Sequence, residues 1–276
     1  MPVDPVTHIR PPHRWLRLEL RELLRFRELA YRLARRDLTL RYRQTFLGVA
    51  WVFLQPLIAA GAFTLIFGRV AGIESPEGVP YFVLAYWGAT AFNAFGTALV
   101  KSSNSLVGNA SLVSKVYFPR LLLPVSTVGT TVLDSIVASG LGLVVTLVGG
   151  VRPGWQLVTL PLWLFSLQVL GLAVGLLFAP LVVKYRDVGY ILPVLSQTLM
   201  FLSPVGYSLA RVPRDLRFEY LLNPLASLVE GARWAAIDVD APPAAAVVYA
   251  LGLACTVLVV GAYLFRRQER LFADVI

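Results

Sequence analysis

Six long stretches almost free of charged side chains limit the fold before any motif is considered. As helices, windows of about 20 apolar residues are long enough to cross a ~30 Å hydrocarbon layer. They occur at residues 46–68, 79–100, 121–151, 153–183, 188–210 and 241–265. Five of the six contain no Asp, Glu, Lys or Arg, and the third contains Asp134. The residues are 57 % hydrophobic and the mean hydropathy is +0.68. That is more than one soluble core hides, since roughly half apolar is usual for soluble domains. The expectation is an all-α integral membrane protein with six transmembrane helices.

The charge pattern orients it. Lys and Arg are retained on the cytoplasmic side during insertion. Six spans place both termini, the 101–120 stretch and the 184–187 turn on one face, which carries 19 of the 25 basic residues. The other face has Arg69, Arg152, Arg211, Arg214, Arg217 and Arg233. Both termini are therefore expected in the cytoplasm. The net charge of +9 reads as a topology signal; nucleic acid is not an expected partner, because the basic residues flank the spans and form no stripe on a soluble domain. Cys255 is the single cysteine, so no disulfide framework or clustered metal site is expected within one chain. The start, with Pro2, Pro5, Pro11 and Pro12 and no apolar core segment, is not a secretory signal peptide. Insertion is expected to rely on the first span.

Along the chain, residues 1–14 read as a flexible tail, 15–45 as an amphipathic helix with a basic turn, and 46–276 as the six-span domain. Leu16, Leu20, Leu23, Ala30, Ala34 and Leu38 recur at helical intervals with Arg and Glu between them. Such a helix can lie in the cytoplasmic headgroup layer. The alternative, a helix of a small cytoplasmic domain, has too few residues to stabilise itself. Between spans five and six, the apolar island 220–229 is too short to cross and is interrupted by Asn223 and Pro224. It is expected to form short re-entrant outer helices covering the end of a cavity. Non-helical backbone at that depth needs protein or water beside it. The two halves share no repeat, which argues against an inverted-repeat transporter.

Much catalytic chemistry is missing. The sequence has no GxxxxGK[ST] phosphate loop and no HExxH, and His8 and His13 lie in the tail. Asp238 and Asp240 form a DxD pair, expected to be a solvated outer loop. Asp134 reads either as a hydrogen-bonded packing device beside Thr130, Thr131, Ser135 and Ser139 or as part of a translocation path. The aromatic groups read as interfacial belts or as a sugar-stacking path. For the path, Trp51, Tyr86, Trp87, Phe92, Asn93, Phe95, Phe201 and Tyr207 are the candidates. Gly171 and Gly175 form a GxxxG that suits close helix packing.

Four runs carry a family likeness: RRDLTLRYRQTFLGVAWVFLQPL (35–57), NSLVGNASLVSKVYFPRLLLPVS (104–126), KYRDVGYILPVLSQTLMFLSPVGYS (184–208) and LLNPLASLVEGARWA (221–235). In this order they resemble the ABC-2 type permeases, most of all those exporting O-antigen, teichoic acid and other lipid-linked polysaccharides. The resemblance implies a homodimer in the bacterial inner membrane that binds no cofactor itself. It works with two copies of a cytoplasmic ATPase that holds ATP and Mg2+. The substrate it implies is a lipid-linked polysaccharide. Arg41, Tyr42 and Arg43 would meet a lipid pyrophosphate or headgroup, or serve only as a positive-inside anchor. Residues 101–120 would form the coupling and gate element, with a short helix over 104–116 ended by Pro119. Asn104, Asn109, Lys115, Tyr117 and Arg120 stand there, with Lys184, Arg186 and Asp187 as a second coupling turn. Asn223, Pro224, Glu230 and Arg233 would form an outer gate. The rival readings are an ABC-2 permease for a drug or lipid, an ion-coupled transporter, and a membrane-embedded glycan-processing enzyme. The last would need acidic, His or Cys groups gathered at one leaflet.

Overall fold

The computed structural model describes residues 25–42, 50–76, 78–116 and 118–269, and these are helical with no strand among them. Helix α1 is Arg27–Tyr42, and α2 is Ala50–Phe63, continued by a π-helix Thr64–Val70. Next come α3 (Tyr81–Asn104), α4 (Ala110–Lys115) and α5 (Leu122–Val148). A 3-10 turn, Trp155–Thr159, leads into α6 (Leu160–Lys184), followed by α7 (Val188–Phe201). Helices α8 (Arg217–Leu221), α9 (Pro224–Ile237) and α10 (Ala244–Gln268) complete the bundle.

Five helical stretches are long and apolar enough to span: Phe53–Val70, Tyr81–Asn104, Leu122–Val148, Trp155–Lys184 and Ala244–Gln268. Helices α3 and α6 lie centrally and are buried over most of their length, whereas less than a third of the spanning stretches of α2, α5 and α10 is buried. The exposed surface is apolar, as lipid requires, with Ile58, Leu65, Ile136, Val148, Leu162 and Val259 all facing outward. Cys255 is exposed on α10 with no disulfide partner.

The fifth expected span differs. Helix α7 has 14 residues, about 21 Å at 1.5 Å per residue, and stops at Phe201. Ser203-Pro204 explains the stop. The residue before a proline is driven out of the helical region, and proline brings no N–H. Residues 202–208 continue as turns with Ser203, Val205 and Gly206 buried, so irregular backbone stands where the last turns of a helix were expected.

The α3–α6 contact explains the GxxxG. A methyl added to Gly171 would run into the Phe95 carbonyl oxygen, and one on Gly175 into the Ser102 hydroxyl and to 3.0 Å from the Leu99 carbonyl oxygen. The backbones approach because no Cβ intervenes.

Two apolar clusters divide the bundle lengthwise. The larger joins α3, α6, α7, α9 and α10, with Trp87, Phe95, Leu167, Leu192, Val229 and Ala250 among its buried residues. The smaller gathers Leu33 of α1, Val113 of α4, Leu122 of α5, Val183 of α6 and Phe265 of α10. The amphipathic helix thus packs on the bundle through Leu33, with Phe26, Leu29 and Ala30 alongside. Residues 1–24, which include the tail and the first half of the expected stripe, lie outside the described residues.

Candidate functional site

The end of the bundle holding the smaller cluster brings together the residues expected to couple. Helix α3 runs past Lys101 to Asn104, so the 101–120 stretch begins as the last turn of a helix. The short helix is α4, over Ala110–Lys115, narrower than the expected 104–116. Asn104 Nδ2 donates to the Val100 carbonyl at 2.9 Å, and a methyl on Gly189 would stand 3.1 Å from the Asn104 Oδ1. Asn109 is held from two sides: its Nδ2 donates to the Ser105 carbonyl at 2.9 Å, and its Oδ1 accepts from Arg36 of α1. Arg120 is tied to the far end of the chain. Its N–H donates to Glu269 Oε1 at 2.9 Å, and its guanidinium donates to the Glu269 carbonyl. Lys115 is exposed, as are Lys184, Arg186 and Asp187. Asp187 caps α7, accepting from the Val188 N–H at 3.1 Å. Tyr117 and Arg43 lie outside the described residues, as do the side chains of Arg41 and Tyr42.

Between the two ends runs a polar seam. Lys101 Nζ donates to Asp134 Oδ2 at 3.2 Å and to Thr130 Oγ1 at 3.1 Å, with both charged side chains largely buried. Gln168 Nε2 donates to Ser135 Oγ at 2.8 Å and to the Thr131 carbonyl at 3.2 Å. Beside these groups a cavity of about 40 Å³ is lined by Gln55, Asn93, Thr97 and Asp134, large enough for a water. An acid within the hydrocarbon costs about 3 kcal/mol on insertion scales, and pairing with Lys101 offsets that. Sequence reasoning placed Lys101 in a loop and missed the pair. The available signal was that a lone intramembrane acid calls for a basic partner, and Lys101 borders the neighbouring span. Lys101→Met is expected to lower the melting temperature in detergent, and adding Asp134→Asn should restore part of the loss. Equal melting of the single and double variants would show that the pair does not couple the two helices.

The opposite end is built around Arg233. Its side chain is fully buried and reaches three carbonyls: Leu84 at 3.3 Å, Tyr207 at 2.8 Å, and Val205. Glu230, one turn earlier, stands 3.5 Å away and accepts from the Leu209 N–H. Burial lowers the guanidinium's proton affinity, and the Glu230 carboxylate opposes that shift. Tyr81 donates to the Gly206 carbonyl. Asn223 caps α9 by accepting from the Leu225 N–H at 3.0 Å, and its Nδ2 donates to Ser203 Oγ at 3.0 Å and to the Leu202 carbonyl at 3.2 Å. Pro224 opens the helix where a missing N–H is harmless. Arg233, Glu230, Tyr81 and Asn223 thus pair with the carbonyls of Leu202, Val205, Gly206 and Tyr207 and with the Leu209 N–H, the kind of pairing that non-helical chain needs at membrane depth. Gly88 makes room, since a methyl there would strike the Arg233 guanidinium and the Val205 carbonyl.

The aromatic candidates separate by burial. Tyr86, Trp87, Phe92 and Phe95 are packed inside the bundle. Tyr86 donates to the Ala138 carbonyl at 2.7 Å and Trp87 to Thr146 Oγ1 at 2.9 Å. Trp51 and Phe201 are exposed. Tyr207 is half-buried and meets Tyr220 through the two hydroxyls. Asp238 and Asp240 are exposed in the non-helical stretch after α9, as expected of a solvated loop; Asp238 also caps α9 in a left-handed conformation at φ 54° and accepts from Gln156 Nε2. Among the described residues no three His, Cys, Asp or Glu side chains gather to hold a metal.

Comparison with known proteins places this arrangement. The sequence profile of the ABC-2 type transporter family matches residues 28–237. The chain is similar to the O-antigen export system permease protein RfbA of Myxococcus xanthus, with 30 % identity over 212 residues, 76 % of this chain and 80 % of that one. An O-antigen export system permease protein RfbA of Klebsiella pneumoniae is 24 % identical over 245 residues, 87 % and 92 % of the two chains. The polysialic acid transport protein KpsM of Escherichia coli is 24 % identical over 240 residues, 85 % and 91 % of the two.

Proposed function

Because the chain belongs to the ABC-2 type transporter family, we propose that it is the permease subunit of an ATP-driven exporter of lipid-linked polysaccharide in the bacterial inner membrane. The observation that carries this is the length of the match: relatives named for O-antigen export and polysialic acid transport align with this chain over 80–92 % of their own length. The chain acts as a homodimer. A separate cytoplasmic ATPase, in two copies, holds ATP and Mg2+, in keeping with a sequence that has no phosphate loop. The end with α1 and α4 faces the cytoplasm, which the excess of basic residues in the sequence on that side of the spans supports. Helix α7 with residues 202–208 makes the fifth of six crossings, and α8 and α9 form the short outer pair.

The geometry supports a route for coupling. A ligand shifts a conformational equilibrium only through differential contact. The ATPase docks on the exposed charges Lys115, Lys184 and Arg186. Helix α4 shares an apolar cluster with α1, α5, α6 and α10, and Arg36–Asn109 and Arg120–Glu269 fasten it at both sides. Motion at α4 therefore carries α1 and the end of α10 with it. Asn93, Asp134, Trp51 and Phe201 lie nearest the path, and Arg41 to Arg43 meet the lipid pyrophosphate.

Two measurements test this. A strain lacking the gene should lose its surface polysaccharide and regain it on complementation; a glycan surface unchanged by deletion would overturn the cargo. Purified chain alone should hydrolyse no ATP. Reconstituted with its partner ATPase, it should stimulate hydrolysis, and Lys115→Ala should reduce that stimulation several-fold. Wild-type stimulation in both Lys115→Ala and Tyr117→Ala would remove the coupling role of α4.

A further inference from the structure

At the end opposite α1 and α4, a cleft of about 660 Å³ opens between the loop after the π-helix and the segment leading to α8. Its walls include Phe67, Glu74, Tyr207, Arg211, Leu216 and Tyr220. We propose that this cleft is a saccharide subsite that holds one or two sugar rings of the exported chain as they leave the membrane. The inference rests on the polysaccharide reading above and adds the residues that would meet the glycan outside the bundle.

Size and lining both point there. The volume lies within the ~300–1,000 Å³ of small-ligand sites, which combine apolar walls with a few placed polar groups. Three rings supply the apolar part. Phe67 and Tyr207 stand 6.5 Å apart at 62°, and Tyr207 and Tyr220 6.2 Å apart at 58°. Rings set at such angles offer faces in different directions, so sugars of differing linkage can each find a C–H face to stack. The polar part is the rim. Arg211 Nη2 meets Glu74 Oε2 at 3.1 Å and also reaches the Glu74 carbonyl at 3.3 Å, with both side chains well exposed. A guanidinium beside a carboxylate presents donors and acceptors together, the match for a polyhydroxyl ligand.

The same pair argues against an anionic ligand. A phosphate or nucleotide site needs uncompensated cations, and the charge of Arg211 is offset by Glu74. An acyl chain would have no use for the charged rim.

The cleft is also held in shape by local backbone. The π-helix Thr64–Val70 is an uncommon winding that recurs at functional sites. It carries Phe67, stacked on Phe63 at 5.7 Å, to the Tyr207 ring. Gly72, at φ 64°, turns the chain above the cleft with a conformation that other residues rarely adopt. On the facing wall, Arg217 fixes the backbone by donating to the Val212 carbonyl at 3.0 Å and to the Ala210 carbonyl at 2.8 Å.

The test uses the permease assembled with its ATPase in lipid nanodiscs. The probe is a set of oligosaccharides of two to four repeats, cut by mild acid from the host's own surface polysaccharide. Wild-type complex should bind the probe saturably in saturation-transfer NMR. Tyr220→Ala should weaken binding by about tenfold, the scale of one lost aromatic contact, and Glu74→Gln, a change at an exposed loop, by a few-fold. The melting temperature of Glu74→Gln should stay near wild type, so that its weaker binding does not reflect unfolding. Equal affinity in wild type, Tyr220→Ala and Glu74→Gln would overturn the proposal. So would displacement of the probe by a short-chain phosphocholine lipid, which would make the cleft a lipid site. If deletion of the gene removes the surface glycan yet the probe does not bind, the subsite falls and the export reading stands. If deletion leaves the glycan in place, both fall.

Discussion

Arg233→Met is expected to be among the most destabilising single substitutions in the chain. Removing one partner of a buried ion pair typically costs about 3–5 kcal/mol, because the other charge is left uncompensated. Here the loss is wider. Glu230 keeps its buried carboxylate, and the carbonyls of Leu84, Val205 and Tyr207 each lose a charged donor. A buried polar group without a partner costs about 1–3 kcal/mol. The purified variant should melt well below wild type in detergent and tend to aggregate on size-exclusion chromatography, and cells carrying it should display little surface glycan. Arg233→Lys should rescue poorly, since one ammonium cannot reproduce the planar fork that reaches three carbonyls. The double variant Glu230→Gln with Arg233→Met should melt above Arg233→Met alone, because it removes the stranded carboxylate. A wild-type melting temperature for Arg233→Met would mean that the irregular segment is held by Tyr81 and Asn223 without it.

A second large effect is expected at the α3–α6 contact. Gly175→Val and Gly171→Leu each insert a side chain where even a methyl group meets the Ser102 hydroxyl or the Phe95 carbonyl. Overpacking a close contact costs about 1–3 kcal/mol and sometimes more. In these two positions the neighbour on the side of Phe95 and Leu99 is backbone, which cannot rotate aside. Both variants should therefore melt lower and separate the two central helices. Gly140→Ala and Gly252→Ala are the matched controls, as nothing stands within 4 Å of either added methyl. Loss of stability in the controls equal to that in Gly175→Val would assign the effect to glycine removal in general and not to the contact.

Which parts of this architecture could be read early follows from the type of signal. Five of the six apolar windows became long helices with ends displaced by a few residues, because length and apolarity alone set them. The α8–α9 break at Asn223-Pro224 was legible for a local reason: Asn caps and Pro cannot continue a preceding helix. The early end of α7 carried an equally local signal in Ser203-Pro204, outweighed there by the apolarity of the surrounding residues. The partners of the candidate site were not legible. Lys101 and Asp134 are 33 positions apart, Arg120 and Glu269 are 149 apart, and the Arg211–Glu74 pair spans 137. Separations of that size are set by packing, and no periodicity in the chain encodes them.

By itself the sequence determined that this chain belongs in a membrane, how many apolar segments it has and in what order, and where its basic residues are concentrated. Each of these depends on composition within a short window. Only the tertiary structure decided which side of each segment is inside. A helix that is apolar all round has no amphipathic stripe to announce its buried face. Neighbours therefore put Tyr86 and Trp87 in the core and left Trp51 and Phe201 exposed. The tertiary structure also decided that the fifth segment ends in irregular backbone. That outcome needs donors from Arg233, Tyr81 and Asn223, brought together by the fold from helices distant in sequence.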